Sequence, residues 1–341
     1  MSKILVTGGC GYIGSHTIVD LVENGHEVVS VDNLSRGFKE MNDKVSSLLN
    51  KKIENFEVDL CDKDAAEKIF QAHPDLDGVI HFAAYKSVPE SVEEPLMYYE
   101  NNIGSLLNIL NLSKKYDVKN IVFSSSCSVY GNADELPVTE TAPLKDAESP
   151  YAHTKQIGEA ICENFAKANP DFNIVLLRYF NPVGAHVSTV IGEMNKKPEN
   201  LVPIVTQTAI GIRPSMTIYG TDYDTKDGSC VRDYIHVSDI AHAHTLAVQQ
   251  SLKSALPSNC EVYNLGTGKG VTVLELIKAF EEVSGVQLNY EIGPRRDGDV
   301  IKVYANNTKA QQELGWIPKF DIEAMMASAW KWEQALAKEN G

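Results

Sequence analysis

The feature that most constrains this chain is an alternation of two periodicities across its first 180 residues. Short β-rich runs occur at Ile4–Thr7, Glu27–Val31, Ile53–Val58, Gly78–Phe82, Asn120–Ser124 and Phe172–Arg178. Between most of them lie polar, helix-length stretches with apolar residues at helical spacing, including 102–116 and 152–169. Apolar strands that alternate with amphipathic helices must be covered on both faces, so the pattern predicts an α/β fold built on a doubly wound parallel sheet of Rossmann type. Beyond Pro182 the pattern turns irregular, with more Pro and Gly. We therefore expect a boundary there, with residues 1–182 as the doubly wound unit and 183–341 as a smaller α/β unit. Helices are expected at 271–283 and 321–338, with Trp330 and Trp332 packing the last. The stretch 232–250 reads as a strand then a helix that can return to the first unit. The connection from Gly131 to Pro150 is long for a compact domain, which marks it as functional or disordered.

Between the first strand and first helix stands Thr7-Gly8-Gly9-Cys10-Gly11-Tyr12-Ile13-Gly14. Gly9, Gly11 and Gly14 match G-x-G-x-x-G, in which one glycine turns the chain, one admits a pyrophosphate to the backbone and one allows close helix packing. The helix N-terminus supplies N–H donors and partial positive charge to phosphates. Asp32, ending the second strand, is placed to accept hydrogen bonds from an adenosine ribose. Its charge would repel a 2′-phosphate, so NAD is expected rather than NADP, although Arg36 stands nearby. Asp59 after the third strand can reach the adenine or serve as a plain loop acid.

Composition narrows the partners. With 31 Lys and Arg against 46 Asp and Glu the net charge is −15. Affinity for nucleic acid or anionic membranes rests on clustered positive charge, so neither is expected as a partner. No run of about 18 apolar residues would span a bilayer. The N-terminus enters the first strand almost at once, which leaves no room for a signal peptide, and a cytoplasmic protein is expected. The six cysteines are dispersed without a C-x-x-C pair and read as reduced, structural thiols. His242 and His244, two apart on a helix, do not share a face, so no metal is expected.

Tyr151 and Lys155 form Y-x-x-x-K at a helix start, one turn apart on one face, and none of the other 13 of the 14 tyrosines has a lysine four residues on. A free phenol titrates near pH 10 and is a poor base, but a neighbouring ammonium and a nicotinamide cation favour phenolate. Ser124-Ser125-Ser126 brings a hydroxyl to the same sheet edge. A base that takes a hydroxyl proton while hydride leaves to NAD is dehydrogenase chemistry.

At this point the chain resembles the extended short-chain dehydrogenase/reductase family and, within it, the UDP-glucose 4-epimerases, over essentially its whole length. The segments that carry the resemblance are 6–16, from Val6 to His16; Ser124-Ser125-Ser126-Cys127-Ser128-Val129-Tyr130-Gly131; 177–186, with Arg178-Tyr179-Phe180-Asn181-Pro182; and Val231-Arg232-Asp233-Tyr234-Ile235-His236-Val237. The resemblance implies that Tyr151, with Ser126, takes the proton from the sugar C4 hydroxyl while hydride passes to tightly bound NAD. The 4-keto sugar then turns about its diphosphate and receives the hydride on its other face. Lys155 would bind the nicotinamide ribose and lower the tyrosine pKa. Cofactor contacts are implied for Gly8, Gly11, Tyr12, Ile13, Gly14, Asp32, Asn33, Asp59, Leu60, Phe82, Ala83, Lys86, Asn101 and Tyr179, besides Tyr151 and Lys155. Nucleotide-sugar contacts are implied for Phe180, Asn181, Asn200, Leu201, Tyr219, Arg232, Arg296, Asp299 and Val303, besides Ser126 and Tyr151. Guanidinium pairs with phosphate oxygens in a planar fork, which suits Arg232 and Arg296 to a diphosphate; without the resemblance each reads as a surface charge.

Two departures stand out. The segment 187–197 lacks the Pro- and Gly-rich pattern usual before the Asn-Leu pair, and Tyr85 and His153 replace smaller or differently shaped residues. The family places the side chain at 303 beside the sugar C2 substituent. Val303 is small, so UDP-N-acetylglucosamine and its galacto epimer are expected substrates beside UDP-glucose and UDP-galactose, unless the register shifts to Lys302 or Tyr304. A homodimer is also implied. The rival readings are a nucleotide-sugar dehydratase or decarboxylase, which would carry an acid where Cys127 stands, and an NAD-binding regulatory module without catalysis.

Overall fold

The computed structural model describes residues 1–194, 198–295 and 300–340. In its first half the chain runs β1 (Lys3–Thr7), α1 (Tyr12–Glu23), β2 (Glu27–Val31), α2 (Lys39–Leu48), β3 (Glu54–Phe56), α3 (Lys63–Ala72), β4 (Gly78–His81), α4 (Val88–Glu93), α5 (Pro95–Lys115), β5 (Asn120–Ser124), α6 (Pro150–Ala168) and β6 (Asn173–Tyr179). Then follow β7 (Asn181–Val183), α7 (Leu201–Ala209), β8 (Met216–Tyr219), β9 (Val231–Arg232), β10 (Tyr234–His236), α8 (Val237–Leu252), β11 (Cys260–Leu265), β12 (Val271–Thr272), α9 (Val273–Ser284), β13 (Tyr290–Gly293) and α10 (Ile322–Asn340).

Seven strands form one parallel sheet in the order β11-β6-β5-β4-β1-β2-β3. The strand period of two sends alternate side chains to opposite faces. Ile4, Val6, Ile80, Val122, Val175 and Leu177 meet Ile18 and Val19 of α1 and Ile240, Ala243 and Ala247 of α8. Leu5, Val29 and Val79 meet Ile69 and Phe70 of α3 and Ile109 and Leu112 of α5 on the other face. Ile121, Phe123, Ile174 and Leu176 pack there against Leu106 of α5 and Cys162 and Ala166 of α6. Each Val, Leu, Ile or Phe among them contributes roughly 1.5–3 kcal/mol on burial. The strand order reverses at β1, between β2 and β4, and the crevice beyond the carboxyl ends at such a point is where open α/β sheets bind ligands.

A second core unites Val202 and Val205 of α7, Met216 and Ile218 of β8, Leu276, Ile277 and Phe280 of α9, and Met325 and Met326 of α10. Trp330 meets Phe280 edge-on at 5.6 Å, while Trp332 reaches the Glu193 carbonyl with its indole N–H at 2.9 Å. Helix α9 begins with a capping box between Thr272 and Glu275.

The chain first leaves the sheet after β6. Helix α8 returns to cover the sheet beside α1, and β11 pairs along β6 from Cys260 beside Ile174 to Leu265 beside Tyr179. Without β11 the outer N–H and C=O row of β6 would be unpaired, and that need for partners brings a late segment back. The connection 131–149 is also tied down. The Val138 N–H donates to the Tyr304 carbonyl at 2.9 Å, and its carbonyl accepts from Asn306 N–H at 2.7 Å.

Candidate active site

The glycine-rich turn lies at the carboxyl end of β1. Gly8, one residue before the G-x-G-x-x-G motif, makes the turn: its φ is +69°, a region only glycine enters freely, and its N–H donates to the Val31 carbonyl at 2.8 Å. The motif glycines do other work. A Cβ on Gly14 would lie 2.2 Å from the Gly8 carbonyl oxygen, and one on Gly9 2.1 Å from Ser30 Oγ, so both close the helix onto the sheet. A Cβ on Gly11 would meet only the Gly8 oxygen, at 3.1 Å, and that stretch of backbone is otherwise open. The α1 N-terminus has no side-chain cap and no acidic residue in its first turn, so its N–H groups suit an anion.

A cleft of about 880 Å³ opens at this point. It is lined by every residue named above for the cofactor: Gly8, Gly11 to Gly14, Asp32, Asn33, Asp59, Leu60, Phe82, Ala83, Lys86, Asn101, Tyr151, Lys155 and Tyr179. Asp32 is held at its place by N–H donors from Cys10 at 3.0 Å and Leu34 at 2.9 Å. Burial pushes its pKa up and those donors pull it down. Asp59 is held by the Cys61 N–H at 2.8 Å, with Asn33 Nδ2 at 3.4 Å from its other oxygen. These donors fit a dinucleotide: backbone N–H groups and an open glycine for the diphosphate, and a buried carboxylate for ribose hydroxyls. Arg36, which sequence alone left as a possible partner for a 2′-phosphate, pairs with Glu90 at 2.5 Å and lies over the Tyr85 ring at 5.1 Å.

Two of the catalytic candidates, Tyr151 and Lys155, line the same cleft. Ser149 caps α6, accepting the Ala152 N–H at 3.2 Å, and Pro150 opens the helix, which puts Tyr151 and Lys155 on its inward face. Lys155 Nζ donates to the Ser124 carbonyl at 2.7 Å. The three serines, equivalent by sequence, are sorted by their partners. Ser124 donates to the Tyr179 hydroxyl at 2.9 Å and Ser125 to Glu159 at 2.5 Å. Ser126 is the one that acts on the Tyr151 phenol, lowering its pKa against a larger upward push from burial. Burial brings the Lys155 pKa down to about 8, opposed by Glu159. Glu159 is itself paired with Arg178 at 2.5 Å in a buried ion pair.

The described candidate sugar-nucleotide residues are spread over several elements. Asn200 lines the cleft at the start of α7, with Nδ2 3.3 Å from Glu193. Phe180 and Val303 share an apolar cluster with Val129, Tyr130 and Val138. Val303 is buried whereas Lys302 is exposed, so Val303 is the inward residue of that segment. Asn181 carries a buried Nδ2 with no hydrogen-bond partner among the described residues, a donor suited to a ligand. Arg232 Nη1 donates to the Val300 carbonyl at 2.5 Å. Leu201 is half-buried against the second core, and Tyr219 ends β8 beside Gly293. Arg296 and Asp299 lie outside the described residues; their neighbour Arg295 is bound to Asp222 at 2.8 Å and stacked on Tyr223.

Several cleft residues were given no role by the sequence reading: Glu90, Glu193, Met194 and Glu199, while Tyr85, noted there as a departure, also lines the cleft. Lys86 pairs with Glu193 at 3.1 Å, and Ser87 with Glu199 at 2.7 Å. Asn102 holds the loop between them, accepting the Tyr85 N–H at 2.8 Å and donating to Thr154 on α6 at 3.1 Å. No motif flags such cross-chain pairs.

Residues 4–266 match the NAD dependent epimerase/dehydratase family. A UDP-glucose 4-epimerase of Dictyostelium discoideum is 47% identical over 97% of this chain and 95% of its own. A crystal structure of the UDP-glucose-4-epimerase from Stenotrophomonas maltophila, with bound NAD and formylated UDP-arabinopyranose, superposes with a TM-score of 0.96 at 42% identity, covering 99% of this chain and 100% of that one. The UDP-Glc/GlcNAc 4-epimerase of Campylobacter jejuni superposes with a TM-score of 0.84 at 37% identity, covering 98% and 100%. With the glycine turn, the cleft and the tyrosine–lysine pair on one sheet edge, the chain belongs to the NAD dependent epimerase/dehydratase family and, within it, to the UDP-glucose 4-epimerases.

Proposed function

We propose that the chain interconverts UDP-galactose and UDP-glucose by transient oxidation at C4, with NAD held in the cleft through the reaction. The observation that carries this reading is the convergence of Tyr151 and Lys155 on the cleft lined by Gly8, Gly11 to Gly14 and Asp32, with Ser126 acting on the Tyr151 phenol from beside it. NAD would be held by Gly8, Gly11 to Gly14, Asp32 and Asn33, and would supply a reversible hydride acceptor for C4. Tyr151 takes the C4 hydroxyl proton and gives it back, Ser126 relays between phenol and hydroxyl, and Lys155 supplies the positive charge that makes phenolate accessible. Asn181, Arg232 and Arg296 hold the diphosphate, Asn200, Leu201, Tyr219 and Asp299 the nucleotide, and Phe180 with Val303 flanks the sugar.

Cys127 favours epimerisation over dehydration. Elimination of water needs a second acid/base at that position, and burial pushes the Cys127 thiol up to about 12, so it stays protonated. A regulatory module without catalysis is disfavoured by the complete Ser126, Tyr151 and Lys155 set.

The buried, small Val303 supports acceptance of UDP-N-acetylhexosamines. Exposed Val88, Val92, Leu96 and Leu107 on α4 and α5 support pairing with a second copy of the chain. None of the described helices is long and apolar enough to cross a membrane. The purified chain should convert UDP-galactose to UDP-glucose, and UDP-N-acetylglucosamine to its C4 epimer, without added NAD. Inactivity on UDP-galactose even with NAD supplied would defeat the main reading; inactivity on the N-acetyl sugar alone would defeat the role given to Val303.

A further inference from the structure

We propose that Asp233, a residue without a place in the chemistry above, is the positioning residue that binds the diphosphate side and the sugar side of the substrate pocket into one wall. The inference rests on the functional reading just given.

Asp233 is completely buried between β9 and β10. Its carboxylate accepts four hydrogen bonds from two separate segments. One oxygen takes the Thr267 N–H at 2.8 Å and the Thr267 hydroxyl at 2.6 Å; the other takes the Gly268 N–H at 3.1 Å and the Ala305 N–H at 3.0 Å. Its main-chain carbonyl accepts the Asn181 N–H at 3.0 Å. The wall has no slack around this group: a Cβ on Gly266 would lie 2.4 Å from the Asp233 carboxylate and 2.7 Å from the Ala305 Cβ.

What is held matters more than how tightly. Arg232 precedes Asp233, and Val303 stands two residues before Ala305. The same two segments are laced by main-chain bonds, from Val231 N–H to the Ile301 carbonyl at 2.9 Å and from Val303 N–H to the Val231 carbonyl at 3.2 Å. Asn181, with its unpartnered Nδ2, hangs from the Asp233 carbonyl. Asp233 thus fixes three proposed substrate contacts relative to one another, and none of its donors belongs to the glycine turn, to α6 or to the serine strand.

Asparagine at 233 keeps the shape but turns one acceptor into an NH₂ that faces N–H donors, which leaves buried groups unpaired. The Asp233→Asn enzyme should show a KM for UDP-galactose raised about tenfold, a loss of the order of one or two hydrogen bonds, with kcat changed less than about twofold. NAD content, read from the absorbance of the purified protein, should equal that of the wild type. Thr267→Val, which deletes only the hydroxyl donor, should raise KM about threefold and decides the matter if Asp233→Asn does not fold. A folded Asp233→Asn enzyme with unchanged KM, or one that loses kcat or NAD instead, overturns the inference. Wild-type protein that cannot interconvert the two UDP-hexoses overturns the functional reading, and this inference with it.

Discussion

Tyr151 is set against itself until its partners act. Burial alone raises the phenol pKa, so an unassisted Tyr151 is protonated and useless as a base. Ser126 already lowers it, and in the function proposed above the rest of the correction comes from Lys155, pinned one helical turn away by the Ser124 carbonyl, and from the cofactor when present. Tyr151→Phe should therefore lower kcat by about 10²- to 10⁴-fold while the protein still purifies with NAD. Undiminished turnover would remove the phenol from the reaction. The tyrosine and lysine were legible because helical spacing states their relation outright. Residue type and spacing did not separate Ser126 from Ser124 and Ser125, and only the family resemblance named it; their different partners, Tyr179 and Glu159, leave Ser126 for the phenol. Asp233 was quoted only as part of a family segment, and the contacts it makes were not legible because Thr267, Gly268 and Ala305 lie far from it in sequence.

At the scale of elements, α1 depends on a contact that no side chain can share. The Gly14 Cα approaches the Gly8 carbonyl so closely that a methyl group would sit 2.2 Å from its oxygen. Gly14→Ala should push the helix N-terminus off the turn, so that the variant purifies with little NAD and melts several degrees lower, as for a destabilisation of about 1–3 kcal/mol. Normal NAD content in that variant would mean that the turn tolerates displacement. The strands β1, β2, β4, β5 and β6 were readable because buried parallel strands are nearly continuous apolar runs, and the amphipathic helices between them repeat the helical period. Strand β11 was not assigned to the sheet. Its residues, Cys260 to Leu265, mix polar and apolar types, and periodicity can identify a strand without naming its neighbour. The same limit explains why a division at residue 182 does not name β11 as a sheet strand, since the departure of a chain from a sheet is local but its return is a matter of tertiary pairing.

For the whole molecule, folding keeps several imidazoles neutral. Burial lowers the pKa of His16 and His81 to about 3 and of His236 and His244 to about 4, from an ordinary value near 6.5. Below about pH 6.5 the unfolded chain takes up protons that the folded one refuses, so these groups favour the fold above that pH and their contribution is lost as pH falls toward 4. Asp32, Asp233 and Asp239, whose pKa values are raised by burial, act in the opposite sense. A variant isolates the imidazole: between pH 6.5 and 5 the fall in stability should be smaller in His244→Gln than in the wild type, by up to about 1.4 kcal/mol per pH unit in thermal or urea unfolding. Parallel pH profiles would show that His244 is protonated inside the fold. The return of β11 to the sheet bears on how the protein comes to exist at all. As the chain emerges from the ribosome, β6 is complete long before the strand that covers its outer edge has been made, because the whole of α7 to α8 lies between them. Throughout that interval a buried-type strand, with Ile174 to Leu177 at its centre, offers a bare row of hydrogen-bonding groups to any other extended chain nearby. Translation speed and chaperone access over residues 180–260 therefore bear on yield, independently of how stable the finished protein is.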